Sequence, residues 1–116
     1  ATVGNMVRPT PADDLLPERA LAGDPLAKQT MFDSFYVPLA DSQADLLPTL
    51  RAYLECGRSL EGTSKQLYVH ANTVRYRLKR IHETIGQDPT EARTAFVLQI
   101  AIALGAIADN ESGVRR

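Results

Sequence analysis

The positions of proline and glycine limit this chain more than any other feature, because they divide it into short helical segments. Proline is tolerated in the first turn of a helix, and glycine commonly follows the last turn. Three Asp and Pro combinations are predicted to begin helices: Asp24-Pro25, Asp45 with Pro48, and Asp88-Pro89. Three glycines are predicted to end them: Gly23, Gly57 and Gly86. No strand-like alternation of any length is present, so an all-α fold is predicted.

Apolar residues at helical spacing place the helices between these signals. The predicted segments are 13–22, 25–36, 45–56, 60–67, 71–85 and 89–108, which makes a bundle of about five to six helices. Pro38 is predicted to close the second helix. The chain begins without Met, which predicts a fragment or a processed chain, and no signal peptide is visible.

Basic residues are concentrated in one part of a nearly neutral chain. The 116 residues carry a net charge of −1 and include 44% hydrophobic side chains, enough for the core of one domain. Residues 57–86 carry six basic and two acidic side chains, whereas residues 1–50 carry three basic and seven acidic ones. This distribution favours a local site for an anionic partner, with a solvated helix face as the alternative.

The helix over 71–85 combines an apolar stripe with an unusually polar opposite side. Val74, Leu78 and Ile81 lie on one face at helical spacing. The other side and its flanks carry groups that bind base edges and phosphates: Asn72, Thr73, Arg75, Tyr76, Arg77, Lys79 and Arg80. The alternative is an ordinary amphipathic surface helix.

The segment before this helix favours the DNA-binding interpretation. A short helix, a turn of three or four residues and a longer helix with a basic face form the helix-turn-helix plan. Leu60, Leu67 and Val69 lie where the two helices need apolar packing, and His70 falls at the expected N-cap of the second helix. The predicted fold is therefore a Fis-like helix-turn-helix bundle without a wing.

Three stretches carry a resemblance to a known family. They are Leu47-Pro-Thr-Leu-Arg-Ala-Tyr-Leu-Glu55, the segment 60–67, and Val69-His-Ala-Asn-Thr-Val-Arg-Tyr-Arg-Leu-Lys-Arg-Ile81. The sequence resembles the C-terminal helix-turn-helix of PucR-type (CdaR-like) bacterial transcriptional regulators. Its most specific part is His70-x-Asn72-Thr73-x-Arg75-Tyr76-Arg77-Leu78. Residues Pro17-Glu-Arg-Ala-Leu-Ala-Gly-Asp24 also resemble the segment before that domain.

The resemblance spans residues 15–107 and implies a module of a longer regulator. Its sensory part would lie N-terminal, its partner would be double-stranded DNA, and the protein would work in the bacterial cytoplasm, at the nucleoid when DNA-bound. The sequence departs from the pattern in two places: Ala71 replaces a longer, frequently basic residue, and Glu61-Gly62 is a weak start for the short helix. The expected layout is an arm or linker (1–11), connector helices (12–44), the DNA-binding domain (45–108) and a flexible tail (109–116).

These features assign a role to each residue of the polar face. The expected base contacts are Asn72, Arg75 and Tyr76. The expected phosphate contacts are His70, Thr73, Arg77, Lys79 and Arg80, while Arg77 has bracing of the domain as its alternative. No nucleophile, base and orienting group can be assembled from the sequence, so an enzyme is not predicted. No Cys or carboxylate cluster has metal-ligand spacing with His70 or His82, so neither a metal site nor a cofactor site is predicted. Cys56 is expected to be a small buried side chain.

The segment 89–108 is apolar nearly all round. It is predicted either as a central core helix or as a helix with one stripe against another chain or the missing domain. The interface residues would be Phe96, Val97, Ile100, Leu104 and Ile107. A homodimer is expected, because helix-turn-helix proteins commonly bind two half-sites, and a membrane role is excluded on helix length and missing basic flanks. The second hypothesis for the chain is a helical dimerisation or protein–protein interaction module with an incidental basic face.

Overall fold

Helices make up nearly all of residues 15–112, the part of the chain that a computed structural model describes; the predicted arm over 1–11 lies outside it. The helices are α1 (Leu16–Leu21), α2 (Pro25–Met31), α3 (Val37–Ala40), α4 (Leu46–Glu55), α5 (Leu60–Leu67), α6 (Ala71–Ile85) and α7 (Ala92–Ser112). A π turn over Phe32–Tyr36 joins α2 to α3 in one continuous rod. No strand occurs among these residues, which confirms the all-α helix-turn-helix bundle.

Two apolar clusters hold the helices together, and α7 contributes to both. The larger cluster contains Tyr36, Leu39, Leu46, Leu47, Leu50, Tyr53, Val74, Leu78, Ile81 and Leu98. The smaller one contains Leu16, Ala20, Ala27, Met31 and Ala101. Burial of apolar surface stabilises each cluster by about 25 cal/mol per Å². Since Leu98 and Ala101 both belong to α7, this helix joins the helix-turn-helix to α1 and α2.

The helix predicted over 25–36 does not end before Pro38, so the prediction that Pro38 closes it is wrong. The π turn before it uses wider hydrogen bonds, in which the Val37 N–H donates to the Phe32 carbonyl. Pro38 then falls in the first turn of α3, where the missing N–H of proline is tolerated. The helix therefore continues through Ala40 and brings Leu39 into the main cluster.

Asp88-Pro89 does not begin the last helix either. The Asp88 carboxylate accepts hydrogen bonds from the Thr90 N–H (3.0 Å) and hydroxyl (2.7 Å), so it closes a local turn. These bonds also lower the pKa of Asp88. The helix begins at Ala92 and continues to Ser112, through the first residues of the predicted tail.

The last helix, α7, is only partly covered by the rest of the bundle. Leu98 and Ala101 are buried, whereas Phe96 is 37% and Ile107 is 53% exposed. It is therefore a surface helix, and the core-helix alternative is wrong. By length and composition α7 also meets the criteria for a membrane span, as core helices of soluble proteins do, so the exclusion by helix length is not valid.

The first helices cover part of the predicted interface on α7. Val97, Ile100 and Leu104 are partly buried against the smaller cluster. Glu18 of α1 accepts two hydrogen bonds from Arg93 of α7, at 2.6 and 2.9 Å, which lower the pKa of Glu18. These contacts fasten α1 along one side of α7.

Gly105 allows the π turn to pack directly against α7. A Cβ atom at this position would overlap the ring of Tyr36. That ring is buried, stacks on Phe32 with 5.4 Å between centroids, and donates its hydroxyl to Asp109 at 2.9 Å. Burial and the Asp109 carboxylate raise the pKa of Tyr36, so the hydroxyl keeps its proton. The ring therefore has little freedom to move away.

Gly105→Ala should consequently destabilise the protein. Overpacking of a well-packed contact costs about 1–3 kcal/mol, more than the gain in helix propensity of about 1 kcal/mol. Urea denaturation at low protein concentration measures the change. Ala106→Ser, at an exposed position of the same helix, should stay within about 0.5 kcal/mol of wild type. Equal stability of both variants would show that Tyr36 is not held against α7.

Candidate nucleic-acid interface

The scaffold of the candidate interface is α5, which is capped and packed at its N-terminal end. The Ser59 hydroxyl accepts a hydrogen bond from the Gly62 N–H at 2.9 Å. Thr63 is fully buried and donates its hydroxyl to the Ser59 carbonyl at 2.6 Å. A Cβ on Gly62 would lie 3.3 Å from Cys56 Cβ, tighter than most real contacts. The glycine that appeared to weaken this helix therefore permits its close approach to the preceding turn.

The turn between α5 and α6 exposes an aromatic residue, Tyr68, to which the sequence interpretation gave no functional role. Tyr68 adopts a left-handed conformation with φ of 59° and is 94% exposed. An aromatic side chain in a short polar turn was the available signal. His70 follows in extended conformation, and its Nδ1 accepts the Asn72 N–H at 3.0 Å. Its predicted N-cap position is confirmed.

The apolar stripe of α6 determines which side of this helix faces solvent. Val74 and Ile81 are fully buried and Leu78 is nearly so. The predicted stripe is thus confirmed, and α6 packs by it against α4 and α5. The opposite side is exposed and carries Asn72, Arg75, Tyr76, Lys79, Arg80 and Glu83.

Four of the exposed side chains of α6 form two pairs. Arg75 Nη1 donates to Asn72 Oδ1 at 2.7 Å, and Tyr76 beside them is 60% exposed. Further along, Arg80 lies 3.7 Å from Glu83. An exposed pair of this kind contributes little to stability, so both side chains are free to rearrange on contact with a ligand.

Arg77 differs from the other cations of α6, because it is partly buried. Its Nη1 donates to the hydroxyl of the buried Thr49 at 3.1 Å, and its Nη2 lies 3.9 Å from an Asp45 carboxylate oxygen. Both partners lie at the start of α4. Arg77 therefore fastens α6 to α4, while Thr73 is half-buried near the N-terminus of α6.

Within residues 15–112, no group of three or more His, Cys, Asp or Glu side chains has the geometry to hold a metal ion. Cys56 is half-buried and donates its thiol to Gln66 Oε1 at 3.2 Å.

A short capped helix, a tight turn and a longer helix with an exposed cationic side define a helix-turn-helix domain. Residues 46–104 match the family described as the PucR C-terminal helix-turn-helix domain. The chain belongs to this family. The match begins at the first residue of α4 and ends within α7.

Related proteins agree with this assignment. An uncharacterized protein of Mycobacterium tuberculosis is 50% identical over 98 residues, which are 84% of this chain and 24% of that protein. The purine catabolism regulatory protein of Bacillus subtilis is 37% identical over 76 residues, 63% of this chain and 14% of that protein. The chain thus spans a quarter or less of the length of these relatives.

A solved structure shows the same fold. The crystal structure of the regulator of polyketide synthase expression from Bifidobacterium adolescentis has a TM-score of 0.80 and 46% identity, covering 84% of this chain and 39% of that chain. The family, together with the two relatives named as regulators, supports a DNA-binding role in transcriptional regulation.

Arg77→Ala should destabilise the protein, because it leaves the buried Thr49 hydroxyl without its guanidinium partner. Loss of one such hydrogen bond costs about 1–2 kcal/mol. Urea denaturation measures the change. Arg80→Ala is the matched control: Arg80 is exposed and its ion pair with Glu83 lies at the surface, so its loss should change stability by less than about 0.5 kcal/mol. A stability loss in Arg80→Ala equal to that in Arg77→Ala would contradict the bracing role.

Proposed function

We propose that this chain is the sequence-specific DNA-binding module of a PucR-type transcriptional regulator, with α6 in the major groove. The observation that carries the proposal is the division of α6 into a buried apolar stripe and an exposed cationic side. Because the stripe holds the helix in one orientation, the polar side is presented without any rearrangement of the bundle. A protruding helix of this kind fits the major groove of B-form DNA.

The base-contacting residues are Asn72, Arg75 and Tyr76, all in the N-terminal half of α6. Asn72 Oδ1 accepts from Arg75 through one of its two lone pairs. Its second lone pair, its amide N–H groups and the other guanidinium N–H groups remain for base edges. Arginine binds guanine and asparagine binds adenine in the major groove. The internal hydrogen bond also limits the rotamers of both side chains before DNA arrives.

The phosphate contacts come from the flanks and the start of α6. Thr73, Lys79, Arg80 and His70 supply hydroxyl, cationic and imidazole groups there. Arg77 acts through its bracing contacts with α4, which support an indirect role over direct binding of phosphate.

The remaining chain has supporting roles in this proposal. Residues 45–108 form the DNA-binding domain, and residues 12–44 connect it to a sensory region of a longer regulator, with an arm and a tail outside these parts. The greater length of the relatives and the position of α1–α3 before the matched region support this layout. The regulator would act in the bacterial cytoplasm and bind the nucleoid.

A helical interaction module is the second candidate, and the exposed apolar residues of α7 favour it as an added function. Phe96 and Ile107 are exposed, whereas Val97, Ile100 and Leu104 are partly covered by the chain itself. We assign these five residues to a homodimer interface or to contact with the sensory region. A dimer would present two copies of α6 to two half-sites.

Arg75→Ala and Lys79→Ala should separate base reading from phosphate binding. On the duplex preferred in a selection from randomised DNA, Arg75→Ala should cost about 1–3 kcal/mol and relax preference at one base pair. Lys79→Ala should weaken all sequences alike and reduce the slope of log K against log salt by about 0.9. Fluorescence anisotropy over a salt series measures both effects.

Equal, sequence-independent losses in both variants would contradict the assignment of α6 as the reading helix. Salt-independent retention on duplex DNA would favour the interaction module, because an apolar interface releases no counterions.

Ile107→Asp should convert a dimer to a monomer, since it places a charge in an apolar contact. Sedimentation equilibrium measures the state, and Gln87→Asp in the exposed turn before α7 provides a control of equal charge change. A wild-type chain that remains monomeric at all concentrations would overturn the dimer and leave the contact with the sensory region.

A further inference from the structure

Beside its exposed side, α6 borders a cleft of about 400 Å³, which Arg75 and Lys79 share with residues outside the proposed DNA contacts. The cleft lies between α4, α5, α6 and the turn before α7. Its lining consists of Tyr53, Leu60, Arg75, Leu78, Lys79, His82, Asp88 and Thr90. The buried Tyr53 and Leu78 form an apolar base, so the charged groups are confined to the rim.

Arg58 is held at the edge of this cleft by two hydrogen bonds. Its backbone N–H donates to the Tyr53 carbonyl at 2.8 Å, in a left-handed conformation with φ of 66°. Its side-chain Nη1 donates to the Thr90 carbonyl at 2.9 Å. A guanidinium has five N–H donors, so the exposed group keeps free donors after this contact.

The charges around the cleft are predominantly positive. Arg58, Arg75 and Lys79 carry the positive charges and His82 adds an imidazole, whereas Asp88 supplies the one carboxylate of the lining. Thr90 donates two hydrogen bonds to Asp88 Oδ1, so part of this carboxylate is already satisfied within the turn. A net positive rim over an apolar base favours an anion that stays at the surface.

The position of the rim on one flank of α6 indicates that the anion is a phosphate of the DNA backbone. With about 100° between successive residues, His82 and Lys79 lie on the flank of α6 toward α5, and Arg80 and Thr73 lie on the other. A helix in the major groove has one phosphate backbone on each side. The rim therefore faces the strand on the α5 side.

We propose that Arg58 and His82, together with Lys79, form a second phosphate-binding cluster that holds the DNA strand on the α5 side of the recognition helix. This inference rests on the proposed DNA binding and adds two residues to it. Arg58 would contribute from the α4–α5 turn and not from α6. The cluster would thereby fix how far α6 rotates about its own axis within the groove.

Arg58→Gln is the central test, because glutamine keeps side-chain N–H donors but carries no charge. The slope of log K against log salt should fall by about 0.9 and affinity should drop equally on preferred and random duplexes. Arg58→Lys should keep the slope. Arg51→Ala removes the same charge from the side of α4 that faces α7 and should leave the slope unchanged.

His82→Ala tests the other residue that the cluster adds. The His82 side chain is exposed and lines the same cleft as Lys79, so its loss should weaken binding to preferred and random duplexes alike. Unchanged affinity in His82→Ala would remove this residue from the cluster.

The outcomes separate this inference from the function on which it rests. An unchanged slope in Arg58→Gln, with Arg75→Ala still weakening binding, would overturn the second cluster alone. Lower affinity at an unchanged slope would show that Arg58 only holds the turn, and would also overturn it. A wild-type chain that does not bind duplex DNA would overturn the proposed function itself.

Discussion

The burial of one face of α6 is the interaction on which the rest of the structure depends. Val74, Leu78 and Ile81 pack into the main apolar cluster, and this contact determines both the position and the rotation of the helix. Arg77 adds a polar fastening to α4 on one side. The polar groups of α6 that are proposed to contact DNA are thereby carried on a surface whose orientation is set mainly by apolar packing.

Apolar packing also joins the helix-turn-helix to the helices before it. The π turn places Tyr36 against Gly105 of α7, and Leu39 after the turn reaches the cluster that contains α6. A displacement of the α2–α3 rod would therefore alter the packing behind the candidate DNA-binding helix. Interfaces packed this closely transmit small movements, because they cannot deform continuously.

Sequence signals are sufficient to predict the helix bounds and caps that depend only on neighbouring residues. The bounds of α5 and α6, the N-cap at His70 and the Asp24 cap of α2 follow from residues within a few positions of each site. Contacts between residues distant in the chain decide which apolar side chains are buried. Leu21 and Leu26 fit an apolar pattern yet lie exposed, because α1 and α2 pack through Leu16, Ala27 and neighbouring small residues.

The sequence by itself determined the all-α class, the helix-turn-helix and the polar side of α6, because helical periodicity and capping are local properties. Only the tertiary structure decided that Arg77 turns inward, that Arg58 reaches the turn before α7, and that α7 leaves Phe96 and Ile107 exposed. These outcomes depend on side chains that are distant in the chain and adjacent in space. Periodicity identifies which face of a helix is apolar, but packing decides which neighbour covers that face and how much remains exposed.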